Sequence, residues 1–272
     1  MAKKKVVLFI VEGTTDEDFL GFVLENLIDK RIIHYEVYRG DITAEIDFQE
    51  NNIKTRINGC VKNFLAREDY LQEKDIEKVV LVSDLDGCFI PAKPEWVREC
   101  PGEVQRNEYY SDCIKTVNRE EQIGTMHRKS RNLRIASTMK KVGGKFQFSA
   151  FYLSCNREDA FGYSKNHSNE EKEDITDYLY DRYYGNSLLF IRDLFNLLEK
   201  VVGSENLLLS EDDLYALSWK AVQEKNKSLL PGSNLFCFLQ KNQNSLTDEA
   251  QNEVRRVIEE KAAQIGSSFK ES

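Results

Sequence analysis

Three acidic side chains follow apolar segments at positions that could bring them together around a metal ion. Glu12 comes directly after the run Val6–Val11, and Asp84 and Asp86 follow the run 78–83. Two residues apart at the end of a strand, Asp84 and Asp86 can project to the same side. Clustered carboxylates repel one another unless a divalent cation neutralises them, and Mg²⁺ binds carboxylates together with waters and phosphate oxygens. The pattern indicates an Mg²⁺ or Mn²⁺ site suited to phosphoryl transfer.

Strands that alternate with helices would have to position these carboxylates. The runs Val6–Val11 and 78–83 are continuously apolar and rich in β-branched residues, which is typical of strands buried on both faces of a parallel sheet. The segments 32–38 and 146–153 predict two further strands. Because ligands bind at the carboxyl ends of strands in open α/β sheets, we expect Glu12 to face Asp84 and Asp86 at that edge.

Helices are predicted between these strands and beyond them. Thr14-Thr-Asp-Glu17 fits a capping box that starts a first helix at the Thr14 hydroxyl, and 50–67 predicts a second helix. Prolines make 88–110 irregular, and a helix is expected from about 111 into the segment 126–145.

The chain beyond residue 165 has a different pattern. It predicts one long helix over 171–202, a helix start at Ser210 and a helix over 247–265, with at most a short strand at 235–239. We therefore expect an α/β fold with a mostly parallel sheet flanked by helices in residues 1–164, and a helical C-terminal region in 165–272.

Two motifs resemble the signatures of a known domain family. Val11-Glu12-Gly-Thr-Thr-Asp16 and Val82-Ser-Asp84-Leu-Asp86-Gly87 are similar to the paired motifs of the Toprim domain, which topoisomerases, bacterial primases and OLD-type nucleases share. The resemblance covers roughly residues 4–160. It implies that Glu12 is a general acid/base or a metal ligand, and that Asp84 and Asp86 bind Mg²⁺.

Two more carboxylates are candidate metal ligands. Asn156-Arg157-Glu158 is similar to the acidic motif that follows a later strand in stand-alone Toprim proteins, so Glu158 either completes a second metal site or is a surface carboxylate. Asp16, one helical turn beyond Glu12, is either a further ligand or a favourable charge at a helix N-terminus.

The differences from larger Toprim enzymes narrow the expected function. The sequence has no Walker A motif and no cysteine cluster of the zinc-ribbon kind, and it is short for a strand-passing topoisomerase. The resemblance then implies a stand-alone nuclease that acts on DNA or RNA, of the type that bacteria use in anti-phage defence together with a separate ATPase partner.

Basic and acidic residues are concentrated in separate segments of the chain. The formal net charge of −8 argues against indiscriminate nucleic-acid binding, but the segment 126–145 is basic without any acidic residue. It either holds a phosphate backbone beside the metal or packs against the acidic stretch 158–181. The candidate nucleic-acid-binding residues in it are Arg128, Lys129, Arg131, Arg134, Lys140 and Lys141.

Composition favours a folded protein without a membrane segment. Apolar residues make up 41% and charged residues 31% of the 272 residues, and no stretch approaches the roughly 20 apolar residues that span a bilayer. We expect a soluble, cytoplasmic protein with reduced cysteines, since the six cysteines include no CxxC pair. Apolar residues at helical spacing within 190–198 are compatible with ordinary core packing or with homo-oligomerisation.

Two rival interpretations stay open. Asp84-Leu-Asp86-Gly87 also resembles the DxDGT motif of HAD-type phosphatases, in which Asp84 would be the nucleophile and Asp86 the acid. The second rival is a Toprim fold retained as a non-catalytic regulatory module.

Overall fold

The protein is an α/β structure, described by a computed structural model for residues 6–28, 33–37, 41–45 and 52–268. Its strands, in chain order, are β1 (Val6–Val11), β2 (Ile33–Val37), β3 (Ile76–Asp84), β4 (Val97–Glu99), β5 (Glu108–Tyr109), β6 (Ile114–Thr116), β7 (Lys141–Val142), β8 (Phe146–Ser154) and β9 (Gly232–Ser233). Its α-helices are α1 (Thr14–Leu27), α2 (Ile53–Arg67), α3 (Arg119–Thr138), α4 (Arg157–Ala160), α5 (Asn169–Tyr183), α6 (Leu188–Val202), α7 (Glu211–Ala221), α8 (Phe236–Lys241) and α9 (Asp248–Ser268).

The main sheet brings the carboxyl ends of its central strands to one edge. The strand order is β2-β1-β3-β8-β7, and β9 also pairs with β8. Strands β2, β1, β3 and β8 run parallel, whereas β7 and β9 are antiparallel to β8. Asp84 at the end of β3 lies opposite Leu153 near the end of β8, and Ile10 lies opposite Leu81. Residues that follow β1, β3 and β8 therefore lie beside one another.

The central strands are apolar throughout because both faces of the sheet are covered. In β1, Phe9 packs with α1, α5, α6, α8 and α9 on one face, while Leu8 packs with α2 and α3 on the other. Successive strand residues point to opposite faces, so every residue of β1 is buried. The predicted mostly parallel sheet flanked by helices is confirmed.

The helical C-terminal region packs on the same core as the strands. Its helices α5 to α9 contribute most of the apolar residues on one sheet face, and β9 adds a strand beside β8. Asn234 accepts a hydrogen bond from the backbone of Tyr152 at 3.0 Å, and Ser233 donates one to the same residue at 2.8 Å. The C-terminal helices therefore share an apolar cluster with the strands, and the division between 164 and 165 stays a prediction.

Several local predictions of helices and strands were wrong. Helix α1 begins one residue early, with the extended Gly13 as its N-cap and no side-chain cap, so Thr14 does not form the expected capping box. The long helix over 171–202 is two helices, because Gly185 takes a φ of 66° between α5 and α6. In the apolar run 235–239, residues 236–239 lie in the buried helix α8, and Leu235 is the N-cap of that helix.

The irregular segment 88–110 and its continuation hold a small sheet that the sequence pattern did not indicate. Strands β4, β6 and β5 pair in that order, and each has only two or three residues. Such short strands give too little alternation to be recognised. As a result, α3 begins at Arg119 rather than near 111. Within the described ranges, no helix combines the length and the apolar character needed to cross a bilayer.

Candidate functional site

A cavity of about 520 Å³ opens at the carboxyl edge of the parallel strands. Every carboxylate that the sequence predicts as a metal ligand lies at this cavity. All five line its wall, and they are Glu12, Asp16, Asp84, Asp86 and Glu158. The structure thus brings together residues that follow β1, β3 and β8.

The turn after β3 is held to the end of β8 by backbone hydrogen bonds. The amide of Asp86 donates to the carbonyl of Cys155 at 2.9 Å, and the Leu85 amide donates to the carbonyls of Leu153 and Cys155 at 3.0 Å each. Asp86 takes a φ of 47°, a left-handed conformation that is uncommon for a residue with a side chain. These bonds fix the direction in which Asp84 and Asp86 enter the cavity.

Gly87 is required at the next position, and its replacement gives a first prediction. Gly87 has a φ of 64°, and a Cβ built there would lie 2.6 Å from Cδ2 of Leu229. We expect Gly87→Ala to lower the free energy of unfolding by about 1–3 kcal/mol, because it combines a strained φ with overpacking. Gly59→Ala is the control: that helix position has no atom within 4 Å of the added Cβ, so it should be neutral or stabilising. Equal urea midpoints for Gly87→Ala and the wild type would contradict the prediction.

One side of the acidic cluster surrounds a buried lysine. The Nζ atom of Lys129 lies 2.5 Å from Oδ2 of Asp41, 2.7 Å from Oδ2 of Asp86 and 3.6 Å from Oε2 of Glu12. Burial alone would lower the pKa of Lys129, but the charges of Asp41, Asp86 and Glu12 raise it well above its usual value. Lys129 is therefore a permanent cation within the cluster.

Asp41 is a site residue that the sequence analysis missed. Its Oδ1 atom accepts hydrogen bonds from the amides of Thr43 and Ala44 at 2.8 and 3.0 Å. Burial opposes its ionisation, but the Lys129 ammonium and the bonds from Lys129 and Thr43 hold its pKa below the usual value. A signal was present, since Asp41 follows the predicted strand 32–38 and belongs to the same edge as the other carboxylates.

The other side of the cluster is organised by Arg157. This side chain is fully buried, and its Nη2 atom lies 2.8 Å from Oε1 of Glu158 and 3.0 Å from Oγ1 of Thr176. Its Nη1 atom lies 3.5 Å from Oδ1 of Asp16. Oε2 of Glu158 is buried without a hydrogen-bond partner. Glu158 is therefore not a surface carboxylate, and one of its oxygens is left to bind something else.

Asp84 lies between the carboxylates around Lys129 and those around Arg157. Among the described residues it has no cationic partner of its own. Among the residues that the structure describes, no side chain donates a hydrogen bond to its carboxylate or forms an ion pair with it. Burial and the charges of Asp16, Asp86 and Glu158 raise the pKa of Asp84 well above its usual value. Asp84 is thus the carboxylate in this cluster that most needs a counter-ion.

The surroundings of Glu12 favour exchange of a proton. The hydroxyl of Ser83 donates to Oε1 of Glu12 at 2.5 Å. Burial and the neighbouring Asp41 raise the pKa of Glu12 well above its usual value, although Lys129 opposes this. A carboxyl group with a raised pKa is suited to general acid/base work near neutral pH.

The basic residues of 126–145 do not line the cavity. Lys129 is buried beneath the carboxylates, the Nε of Arg128 donates to the carbonyl of Ala44 at 2.9 Å, and Arg134 packs over the ring of Phe89. Arg131 and Lys140 are exposed, as is Lys141. The cationic side chains on the cavity wall come from elsewhere, and they are Arg106, Lys165 and Lys172.

Comparisons with protein families, with characterised proteins and with solved structures gave no significant match. The chemistry of this site must therefore be argued from its geometry. Six carboxylates, those of the five cavity residues and of Asp41, surround two buried cations, Lys129 and Arg157. This donor set fits a hard divalent ion, because among the described residues Asp84 has no ion-pair partner and Oε2 of Glu158 has no hydrogen-bond partner.

Proposed function

We propose that this protein is an Mg²⁺- or Mn²⁺-dependent nuclease of the Toprim type, which cleaves phosphodiester bonds in DNA or RNA. The observation that carries the proposal is the uncompensated Asp84 carboxylate beside Asp16, Asp86 and Glu158 in an open cavity. A divalent ion held there would supply a Lewis acid that neutralises a phosphate and activates water.

The cavity residues have different roles in the proposed reaction. Asp84 would hold the metal together with Glu158, and Asp86 and Asp16 are the neighbouring candidates for further ligands. Glu12 would take up or release a proton at its Oε2 atom, while the Ser83 hydroxyl orients the carboxyl group through Oε1. Arg157 would keep Asp16 and Glu158 in place from beneath.

Groups that favour anions also line the cavity. The N-terminus of α1 opens on the cavity at Gly13 and Thr14, where its amides favour a phosphate group. Arg106 and Lys172 line the same cavity, and within the described part of the chain neither of them forms an ion pair. The proposed substrate backbone would therefore reach the metal past Arg106 and Lys172.

Oligonucleotide binding tests this path. We expect Arg106→Ala and Lys172→Ala each to weaken binding and to reduce the slope of log K against log [salt] by about 0.7–0.9, which corresponds to one phosphate contact. Fluorescence anisotropy at several salt concentrations, without divalent ions, measures both quantities. Lys62→Ala on α2 removes an exposed charge far from the cavity lining and is the control. A larger loss in Arg131→Ala than in either cavity variant would instead favour the basic segment 126–145.

The proposed activity is tested by incubating the protein with plasmid DNA and with total tRNA, in Mg²⁺ or Mn²⁺. Wild-type protein should cleave at least one of them, and Glu12→Ala should not. The Toprim resemblance also supports a role in bacterial anti-phage defence with a separate ATPase partner, so the assay is repeated with the product of a neighbouring ATPase gene. No cleavage in any of these conditions would count against the proposal.

A second candidate is a HAD-type phosphatase in which Asp84 is the nucleophile. It is favoured by the size of the cavity, because about 520 Å³ suits a small phosphomonoester as well as one nucleotide of a strand. Glu12 separates the two candidates. Hydrolysis of a phosphomonoester that survives Glu12→Ala but is lost in Asp84→Asn would establish the phosphatase.

A further inference from the structure

A buried ammonium group lies where three carboxylates of the site converge. One oxygen from each of Glu12, Asp41 and Asp86 lies within 4.8 Å of the others, and Nζ of Lys129 lies between them at 2.5 to 3.6 Å. We propose that the Lys129 ammonium is the second cation of the site. It fills the position where these carboxylates would otherwise bind a divalent ion, so the site holds a single divalent ion beside Asp84. This inference deepens the proposed function and rests on its metal site.

The position of Lys129 is fixed by contacts on both sides of the ammonium group. Only 2% of its side chain is exposed, in the middle of helix α3. The same helix is bound to the segment 41–45, because Nδ2 of Asn132 donates to the carbonyl of Thr43 at 2.7 Å. Arg128 donates to the neighbouring carbonyl of Ala44. Asp41 and Lys129 are therefore held together by the backbone as well as by their charges.

An entering divalent ion would be at a disadvantage at the Lys129 position. It would have to displace the Lys129 ammonium from the ion pairs that the described residues give it, and an unpaired buried charge is costly. Within the described residues, Asp84 forms no ion pair that an entering ion would have to break. The first ion to enter should therefore bind at Asp84 and leave Lys129 in place.

Lys129 would act as a positioning residue rather than as a catalytic one. It lies beneath the cavity wall and touches Glu12 and Asp86, which line that wall. Its charge offsets part of the negative charge of Glu12, Asp41 and Asp86 without occupying the space beside Asp84. Mn²⁺ binding, rather than activity, is therefore the direct readout of its role.

The experiment counts Mn²⁺ ions bound per chain, from the signal of free Mn²⁺ in electron paramagnetic resonance. Wild type should bind one ion. Lys129→Met vacates the cation position and should bind two, and added Mn²⁺ should raise its melting temperature more than that of the wild type. Lys62→Met on α2 is the control and should bind one ion. Lys129→Gln serves as a second variant, and both are refolded in Mn²⁺ if they do not fold without it.

Each outcome decides a different question. Two ions in the wild type, or no additional ion in either Lys129 variant, would overturn the inference. No ion in the wild type but one in Lys129→Met would support the placement of Lys129 in a cation position, but it would overturn the single ion beside Asp84 and count against a metal-dependent function. One ion in the wild type and two in the variant would support both.

Discussion

Asp84→Asn is expected to lower the Mg²⁺-dependent cleavage rate by about a thousandfold while making the metal-free protein more stable. A metal ion supplies several kcal/mol of transition-state stabilisation, and each 1.4 kcal/mol is a factor of ten in rate. The gain in stability arises because Asp84 is half-buried beside Asp16, Asp86 and Glu158, and burial together with these charges raises its pKa. An amide of the same shape removes that repulsion, and we expect about 0.5–2 kcal/mol.

The pH dependence of this gain follows from linkage. A carboxyl group with a raised pKa binds more protons in the folded state than in the unfolded state, so its contribution to stability falls as the pH rises through the folded pKa. The advantage of Asp84→Asn should therefore be full at pH values above the folded pKa of Asp84 and absent below about pH 4, where the unfolded chain is protonated as well. Urea unfolding at several pH values, without divalent ions, measures it.

An exposed aspartate provides the comparison. Asp174→Asn on helix α5 changes the same atoms on a side chain that lies outside the cavity lining, so it should alter neither rate nor stability measurably. A variant of Asp84 that is less stable than the wild type without metal would show that the carboxylate has a partner. That result would contradict the assignment of Asp84 as the proposed metal ligand.

Lys129→Met is expected to destabilise the protein by about 3 kcal/mol, the lower end of the penalty for removing one member of a buried ion pair. The lower end applies because the side chains of Asp41 and Asp86 keep 25% and 30% of their surface exposed, which allows water to compensate in part. Chemical denaturation without divalent ions measures the loss. Lys62→Met on α2 should change the stability by less than about 0.5 kcal/mol.

A double variant tests the cause of this loss. If the destabilisation comes from carboxylates left without a cation, Asp86→Asn should restore part of it in the Lys129→Met background. The two changes would then cost less together than the sum of their separate effects. Strict additivity would show instead that the lysine stem contributes by packing, and that its charge is immaterial.

The order of strands and helices near the site could be predicted from the sequence, because it depends on neighbours in the chain. Six apolar residues before Glu12, and the similar run before Asp84, are enough to indicate buried parallel strands. Placing the carboxylates just after those strands was then sufficient to bring them to one edge. The substrate and the activity had no such local signal, and they stay proposals.

What the sequence by itself determined is the α/β class and the position of Glu12, Asp84 and Asp86 at strand ends, since both follow from periodicity over a few residues. Only the tertiary structure decided how these charges are compensated. Lys129 reads as one more residue of a basic segment, yet it is 43 residues from Asp86 and becomes its ion-pair partner. Burial and charge pairing between distant segments depend on how helix α3 packs against the sheet, and no local pattern of residue types encodes that distance.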